Sequence, residues 1–187
     1  MNAPIDVSNV RLETRRLVLR PWRESDLEDL NAYASVEGVG EMAGWKHHES
    51  LEESQKILAL FIAHKKTFAM ELKETGRAIG SLGLEELGEM DAAHENRLGR
   101  EVGYVLGKDY WGRGLMPEAV QAVIEYCFGV LDYDFLTCGH FLENSQSRRV
   151  IEKCGFHYWK EDTYSTRTGA GETKRASRMY LLENPGR

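Results

Sequence analysis

Residues 100–120 read REVGYVLGKDYWGRGLMPEAV, and this stretch decides the fold. Glu101–Leu106 is a short, mostly apolar run and reads as a strand. From Leu115 onward the apolar residues Met116, Val120, Val123, Cys127 and Leu131 recur at helical spacing, an amphipathic helix of about four turns. Between strand and helix, Gly112 and Gly114 flank Arg113, and Pro117 follows. The first N–H groups of a helix have no intrahelical partner, and the helix dipole adds partial positive charge there. A phosphate satisfies both conditions. Two residues without Cβ let an anion approach the backbone, and Arg113 can add a charge-assisted contact. Pro117 has no N–H, which limits the donor set to Gly112, Arg113, Gly114, Leu115 and Met116.

The rest of the chain places this unit in a mixed fold. Arg16–Trp22 alternates Leu17 and Leu19 against Val18 and Arg20 and reads as a first strand, stopped by Pro21. Ser25 with Glu28 forms a capping box that predicts a helix over about 26–36. Ser50 with Glu53 is a second box, followed by a helix to about Lys65 with Ile57, Leu60 and Phe61 on one face. Thr67–Leu72 and Ala78–Leu84 pair around Glu74-Thr75-Gly76, and the polar Glu85–Arg100 reads as a loop. Phe135–Phe141 is a strand, and Asn144–Cys154 is a short helix closed by Gly155. Tyr158–Tyr164 and Lys174–Leu182 form a last hairpin around Thr168–Gly171. The order β-αα-βββ-α-β-α-ββ predicts one α/β domain over 1–187, with a mixed sheet and helices on both faces.

Composition narrows the function classes. The chain has 187 residues, 42% of them hydrophobic, enough for one ordinary core. A net charge of −6 argues against a general nucleic-acid binder. The N-terminal stretch lacks the apolar segment of a signal peptide, and the longest apolar run, Ile57–Ala63, is too short for a bilayer, so no membrane partner is expected. Three cysteines with no C-x-x-C pair fit reduced thiols in a cytoplasm, and no metal site is expected.

Several phosphate readings compete for the glycine turn. A P-loop is absent, and the dinucleotide fingerprint fails because Pro117 stands where its third glycine belongs. An acetyl-coenzyme A site is the third reading, and a plain helix start without ligand is the simplest. The flanking sequence weighs on the choice. REVGYVLGKDYWGRGLMPEAV, followed by FLENSQSRRVIEKCGF, resembles the GNAT superfamily of acyl-coenzyme A N-acyltransferases, and more narrowly its ribosomal-protein serine/alanine N-acetyltransferase branch. The resemblance runs from LETRRLVLRPWRESD, through Gly44–Ser54, to Tyr158. Against the superfamily's phosphate motif Q/R-x-x-G-x-G/A, Gly114 matches, while Trp111 and Met116 depart.

The resemblance implies a GNAT fold, with a mostly antiparallel sheet of about seven strands and four helices. It implies acetyl-coenzyme A as co-substrate, held in a V between Glu101–Leu106 and Phe135–Phe141. The pyrophosphate would lie on Gly112–Met116, and the backbone of Tyr104, Val105 and Leu106 would hold the pantetheine arm. Gly103 in mid-strand fits a bulge, a close backbone approach or simple packing. Glu101 is the candidate base, with Glu85 and His140 as alternatives; an exposed strand-start glutamate paired with Arg100 is the structural option for Glu101. The superfamily's thiolate-protonating tyrosine would fall at Ile151, which cannot donate. The narrower branch has Asn-x-x-Ser instead, matched by Asn144 and Ser147, and this makes Ser147 the candidate sulfur donor and Asn144 a cap that also reaches the pantetheine. Read as local structure alone, the two are an N-cap and a solvated helix serine. Trp45 and His48 are candidates for the acceptor pocket. The expected activity is direct acetyl transfer to a primary amine, of a protein N-terminus or a small molecule, in a ternary complex. A non-catalytic acyl-coenzyme A-binding module is the alternative, and a homodimer is the base-rate expectation for assembly.

Overall fold

The structure, a computed structural model, describes residues 1–168 and 171–187. The elements are β1 (Leu12–Glu13), β2 (Leu17–Pro21), α1 (Leu27–Ala34), α2 (Leu51–His64), β3 (Thr67–Leu72), β4 (Arg77–Glu85), β5 (Gly99–Leu106), α3 (Leu115–Gly129), β6 (Phe135–Phe141), α4 (Ser145–Lys153), β7 (His157–Thr168) and β8 (Gly171–Glu183). The expected turn of the last hairpin includes Gly169 and Ala170, which lie outside the described residues.

All eight strands form one sheet in the order β1-β2-β3-β4-β5-β6-β8-β7. Every pairing is antiparallel except β5 against β6. The expected mixed sheet with four helices is therefore present. The strand beyond the expected seven or so is β1, a two-residue edge too short to leave a periodic signal.

Two cores sandwich the sheet. α3 buries Leu115, Met116, Ala119, Val120, Val123, Ile124 and Cys127, the face its helical spacing predicted, against Leu17, Leu19, Phe68, Met70 and Leu82 of the strands. α1 and α2 cover the other face through Leu30, Tyr33, Ala34 and Leu58, which pack with Trp22, Ala69 and Ala78. On α2 the buried apolar position is Leu58, while Leu60, expected inside, is 47% exposed. Ile57 and Phe61 flank Leu58 as partly buried neighbours, so the apolar stripe is rotated from the expected one.

The entry to α1 also differs from expectation. Ser25 does not cap it. A turn of 3-10 helix over Glu24–Asp26 comes first, and the Asp26 carboxylate accepts the Arg23 N–H at 2.8 Å. The same carboxylate takes both Nη1 (2.7 Å) and Nη2 (2.9 Å) of Arg20, whose Nε donates to Glu71 at 2.5 Å. Arg20 is only 4% exposed, so it is a paired core residue and not the solvent side of an alternating strand. Breaking a buried pair by removing one partner is costly, which is why this network, and not the local capping signal, sets where α1 begins. Ser50 caps α2 as expected, its Oγ accepting the Glu53 N–H at 3.1 Å, but the Glu53 carboxylate turns to the Glu49 N–H at 2.9 Å. The three thiols are free and buried; burial alone pushes Cys127 up to about 12.

Candidate active site

β5 and β6 pair only from Gly99–Phe135 to Val102–Cys138. Beyond that point each follows its other neighbour. β5 stays on β4 to Leu106–Gly80, and β6 stays on β8 to Phe141–Ser177. The gap between them opens a cavity of about 600 Å³, lined on its two sides by Glu101–Leu106 and by Gly139–Phe141. Crevices at the carboxyl ends of parallel strands are the usual ligand sites of open α/β sheets.

The backbone of β5 divides between its two edges. The Gly107 N–H bonds to the Ile79 carbonyl at 2.8 Å, on the β4 side. Because the groups alternate along a strand, the N–H and C=O of Tyr104 and Leu106 face the gap. One of these groups is occupied. The Trp111 indole donates to the Leu106 carbonyl at 2.7 Å and folds the chain back toward α3. Trp111 and the buried Met116 thus have structural work at the two positions that depart from the phosphate motif.

At the head of α3, Gly112 and Gly114 have φ of 74° and 72°. This is the left-handed region, which other residues enter only under strain. Among the described residues, the N–H groups of Gly112, Arg113, Gly114 and Leu115 have no turn or loop partner. They form a cradle of open donors at the head of a helix of 15 residues, an arrangement suited to an anion. The turn is braced from behind. Arg16 donates from Nη1 to the Arg113 carbonyl at 2.8 Å and from Nε to Glu118 at 2.7 Å. Glu118 also accepts from the Thr14 hydroxyl (2.5 Å) and the Arg16 N–H (2.7 Å). Burial would raise its pKa, but these bonds outweigh it and hold the carboxylate below its usual value. The Arg113 guanidinium lies 5.4 Å over the Tyr110 ring, outside the cavity wall.

Glu101 stands at the apex of the gap on the face shared with Glu85, its register partner on β4. Lys66 pairs with Glu85 at 2.5 Å and offsets that charge. The Tyr164 hydroxyl donates to the Glu101 carboxylate. Burial pushes the pKa of Glu101 up to about 7. The Tyr164 bond opposes the rise, the charges of Glu85 and Asp162 add to it, and Lys160 subtracts. A carboxyl near neutrality inside a cleft suits a general base. The alternatives are worse placed: Glu85 is ion-paired, and His140 is buried with Nδ1 donating to the Phe141 carbonyl at 2.7 Å.

The opposite face carries Ser147 and Tyr104. Asn144 caps α4, its Oδ1 accepting the Ser147 N–H at 3.0 Å, while its Nδ2 donates to the Met42 carbonyl at 3.1 Å. The Ser147 and Tyr104 hydroxyls are 2.9 Å apart, and all three residues line the cavity. Burial raises Tyr104 well above the usual phenol value, so it stays protonated. Ile151 is 1% exposed and belongs to the core.

Trp45 and His48 are not in the cavity wall. His48 is buried, with Nδ1 2.8 Å from the Ser54 hydroxyl, which donates to Asn31 at 2.9 Å. Trp45 packs 5.2 Å from the His48 ring, in the core under α1 and α2. Their segment lines the cavity through Val39, Met42, Ala43 and Gly44 instead. The side chains of Tyr104 and Tyr164 were not expected at the site. The alternation of β5 could have put the Tyr104 side chain with Val102 and Leu106, but nothing local marks Tyr164.

A split parallel pair, a cradle of N–H groups after its first strand and a carboxyl near neutrality at its apex are features that an acyl-transfer site of the coenzyme A type requires. Comparison with known proteins agrees: the family model for the Acetyltransferase (GNAT) domain matches residues 16–157, and the chain belongs to that family. It is therefore an acetyl-CoA-dependent acetyltransferase. An uncharacterised N-acetyltransferase of Bacillus subtilis, YoaA, is 29% identical over 150 residues, covering 78% of this chain and 81% of the relative. The ribosomal-protein-S5-alanine acetyltransferase of Vibrio fischeri shares the fold at a TM-score of 0.70 and 19% identity, over 95% of this chain and 98% of that one. The spermidine N-acetyltransferase of Vibrio cholerae, solved with CoA and spermine, has a TM-score of 0.70 at 18% identity, over 90% and 96% of the two chains. Among the described residues, no helix is long and apolar enough to cross a membrane, and no group of three His, Cys, Asp or Glu residues could hold a metal ion.

Proposed function

We propose that the enzyme acetylates a primary amine, of a protein N-terminus or a small molecule, by direct transfer from acetyl-CoA within a ternary complex. The observation that carries this reading is the Glu101 carboxyl, tuned to about 7 at the apex of the β5–β6 gap. The pyrophosphate lies on the N–H groups of Gly112–Met116. The pantetheine runs along the free edge of β5, taking the Tyr104 N–H and C=O and the Leu106 N–H, as an added strand would. Asn144 borders its path.

The two faces of the gap divide the chemistry. The amine enters on the Glu101 face, past Val39, Met42 and Phe141. Glu101 removes its proton, directly or through one water, and the free amine attacks the thioester carbonyl. A gap-facing N–H of β5 stabilises the developing oxyanion. The thiolate leaves on the other face, where the Ser147 hydroxyl donates to it. Covalent relay through Cys138 is disfavoured, because burial holds that thiol well above its usual pKa and so un-ionised. A titratable base facing the cleft favours an enzyme over a binding module. Of the two structural neighbours described above, one is a ribosomal-protein-S5-alanine acetyltransferase and the other a spermidine N-acetyltransferase, and both alanine and spermidine offer an amine as acceptor.

The test is Glu101→Gln assayed over a panel of N-terminal peptides and small amines. Loss of turnover with acetyl-CoA affinity intact supports the reading. Full turnover in the variant removes Glu101 as the base.

A further inference from the structure

We propose that Tyr164, on the next-but-two strand from Glu101, is the positioning residue of the base: its hydroxyl fixes one carboxylate oxygen of Glu101 and leaves the other for the amine. The inference rests on the reading of Glu101 as the base.

The sheet order makes the contact unusual. β6 and β8 lie between β5, which carries Glu101, and β7, which carries Tyr164. A tyrosine can reach that far only by lying flat over the intervening strands, and those strands are shaped for it. A Cβ at position 139 of β6 would stand 3.0 Å from the Tyr164 hydroxyl and 3.1 Å from its ring, so glycine opens the path. Phe141 packs edge-on to the ring at 6.1 Å, and Met179 of β8 places its sulfur 3.3 Å from the hydroxyl. The hydroxyl contacts Oε1 of Glu101. Burial, and then the facing Glu101 charge, raise the phenol far above its ordinary pKa, so it stays protonated and donates throughout the working range.

The other charged or titratable groups near Glu101 come from β4, β6 and β7. Glu85 on β4 and Asp162 on β7 disfavour its charge, and Lys160 on β7 favours it. Cys138, the register neighbour of Val102 on β6, is an un-ionised thiol on the opposite, α3 face of the sheet, and Lys66 reaches Glu101 only through Glu85. Of the groups that favour the ionised base, Tyr164 contributes most and is the one that also fixes its orientation.

The test is the pH profile of kcat/KM. In Tyr164→Phe the ring and its packing stay, but the donor is lost. A hydrogen bond to a charged group contributes enough to move the acidic limb up by about one pH unit, so activity well below the limb falls about tenfold while the alkaline plateau stays within about threefold. Acetyl-CoA affinity is unchanged. Replacing Tyr164 by 3-fluorotyrosine, a stronger donor of nearly the same size, moves the limb down. A merely structural tyrosine would change the plateau or the stability and leave the limb in place. Profiles of both variants that superimpose on the wild type overturn the positioning role while leaving the base reading intact. Full activity in Glu101→Gln overturns the base reading and, with it, this inference.

Discussion

The two edges of β5 are built from the same eight residues and do opposite things. On the β4 side, six successive pairs run from Gly80–Leu106 to Glu85–Glu101 without a break. On the β6 side, pairing stops at Val102–Cys138, halfway along the strand. The paired edge is framework. The unpaired edge leaves the Tyr104 N–H and C=O free for a guest, and the divergence of the strands makes room for it. A sheet thus gains a binding cleft by ending one ladder early, with the other ladder holding the strand in place.

The largest expected contrast between the edges is in catalysis. Glu101→Gln should lower kcat by about 10²–10⁴-fold, the usual contribution of a general base, with the acetyl-CoA dissociation constant unchanged by calorimetry. The next concerns stability. A Cβ at Gly80 would lie 2.4 Å from the Val105 carbonyl, inside the paired ladder. Gly80→Ala should therefore cost about 1–3 kcal/mol in denaturant unfolding. At Gly103 the nearest atom would be the Glu85 Cγ at 3.6 Å, an ordinary contact, and the position faces the cavity. Gly103→Ala should change stability by no more than about 0.5 kcal/mol while weakening acetyl-CoA or amine binding. Equal destabilisation by the two substitutions would break the distinction between framework and cleft.

A smaller effect is expected at the cradle. Gly114→Ala forces a side chain into left-handed backbone and should cost about 1 kcal/mol, with a parallel loss of coenzyme affinity.

The smallest effect is in stability against pH. The folded-state pKa of Glu101 is raised from 4.5 to about 7, so the folded protein holds this proton more tightly than the unfolded chain does. Its contribution is fully favourable below about 4.5 and is lost as the pH rises through about 7. Glu101→Gln should accordingly melt at about 2–4 °C above the wild type at pH 8, and the gain should shrink toward pH 4.5. This is the stability cost of keeping a carboxyl in a partly desolvated cleft.

Much of this arrangement is legible in the sequence, for local reasons. The spacing of Met116, Val120, Val123 and Cys127 specifies α3, and the glycine pair before it specifies the cradle. Asn144 and Ser147 form a cap whose geometry is contained in four residues. The illegible parts depend on contacts between distant positions. Arg20 finds Asp26 and Glu71 only after β2 and β3 pair, and that network overrides the Ser25 box. Trp45 and His48 sit in a segment that lines the cavity through its neighbours, but the packing of α2 turns them inward. Tyr164 meets Glu101 across 63 residues of chain. Periodicity cannot report such a contact, since it records which way a side chain faces and not how far it reaches.

The most direct test of the cleft is calorimetric titration with acetyl-CoA, with NAD and ATP as controls. The expected result is selective 1:1 binding of acetyl-CoA at micromolar affinity or tighter, weakened in Gly114→Ala. No binding of acetyl-CoA, or equal binding of all three ligands, would contradict a coenzyme site between β5 and β6 and leave the glycine turn as a helix start alone.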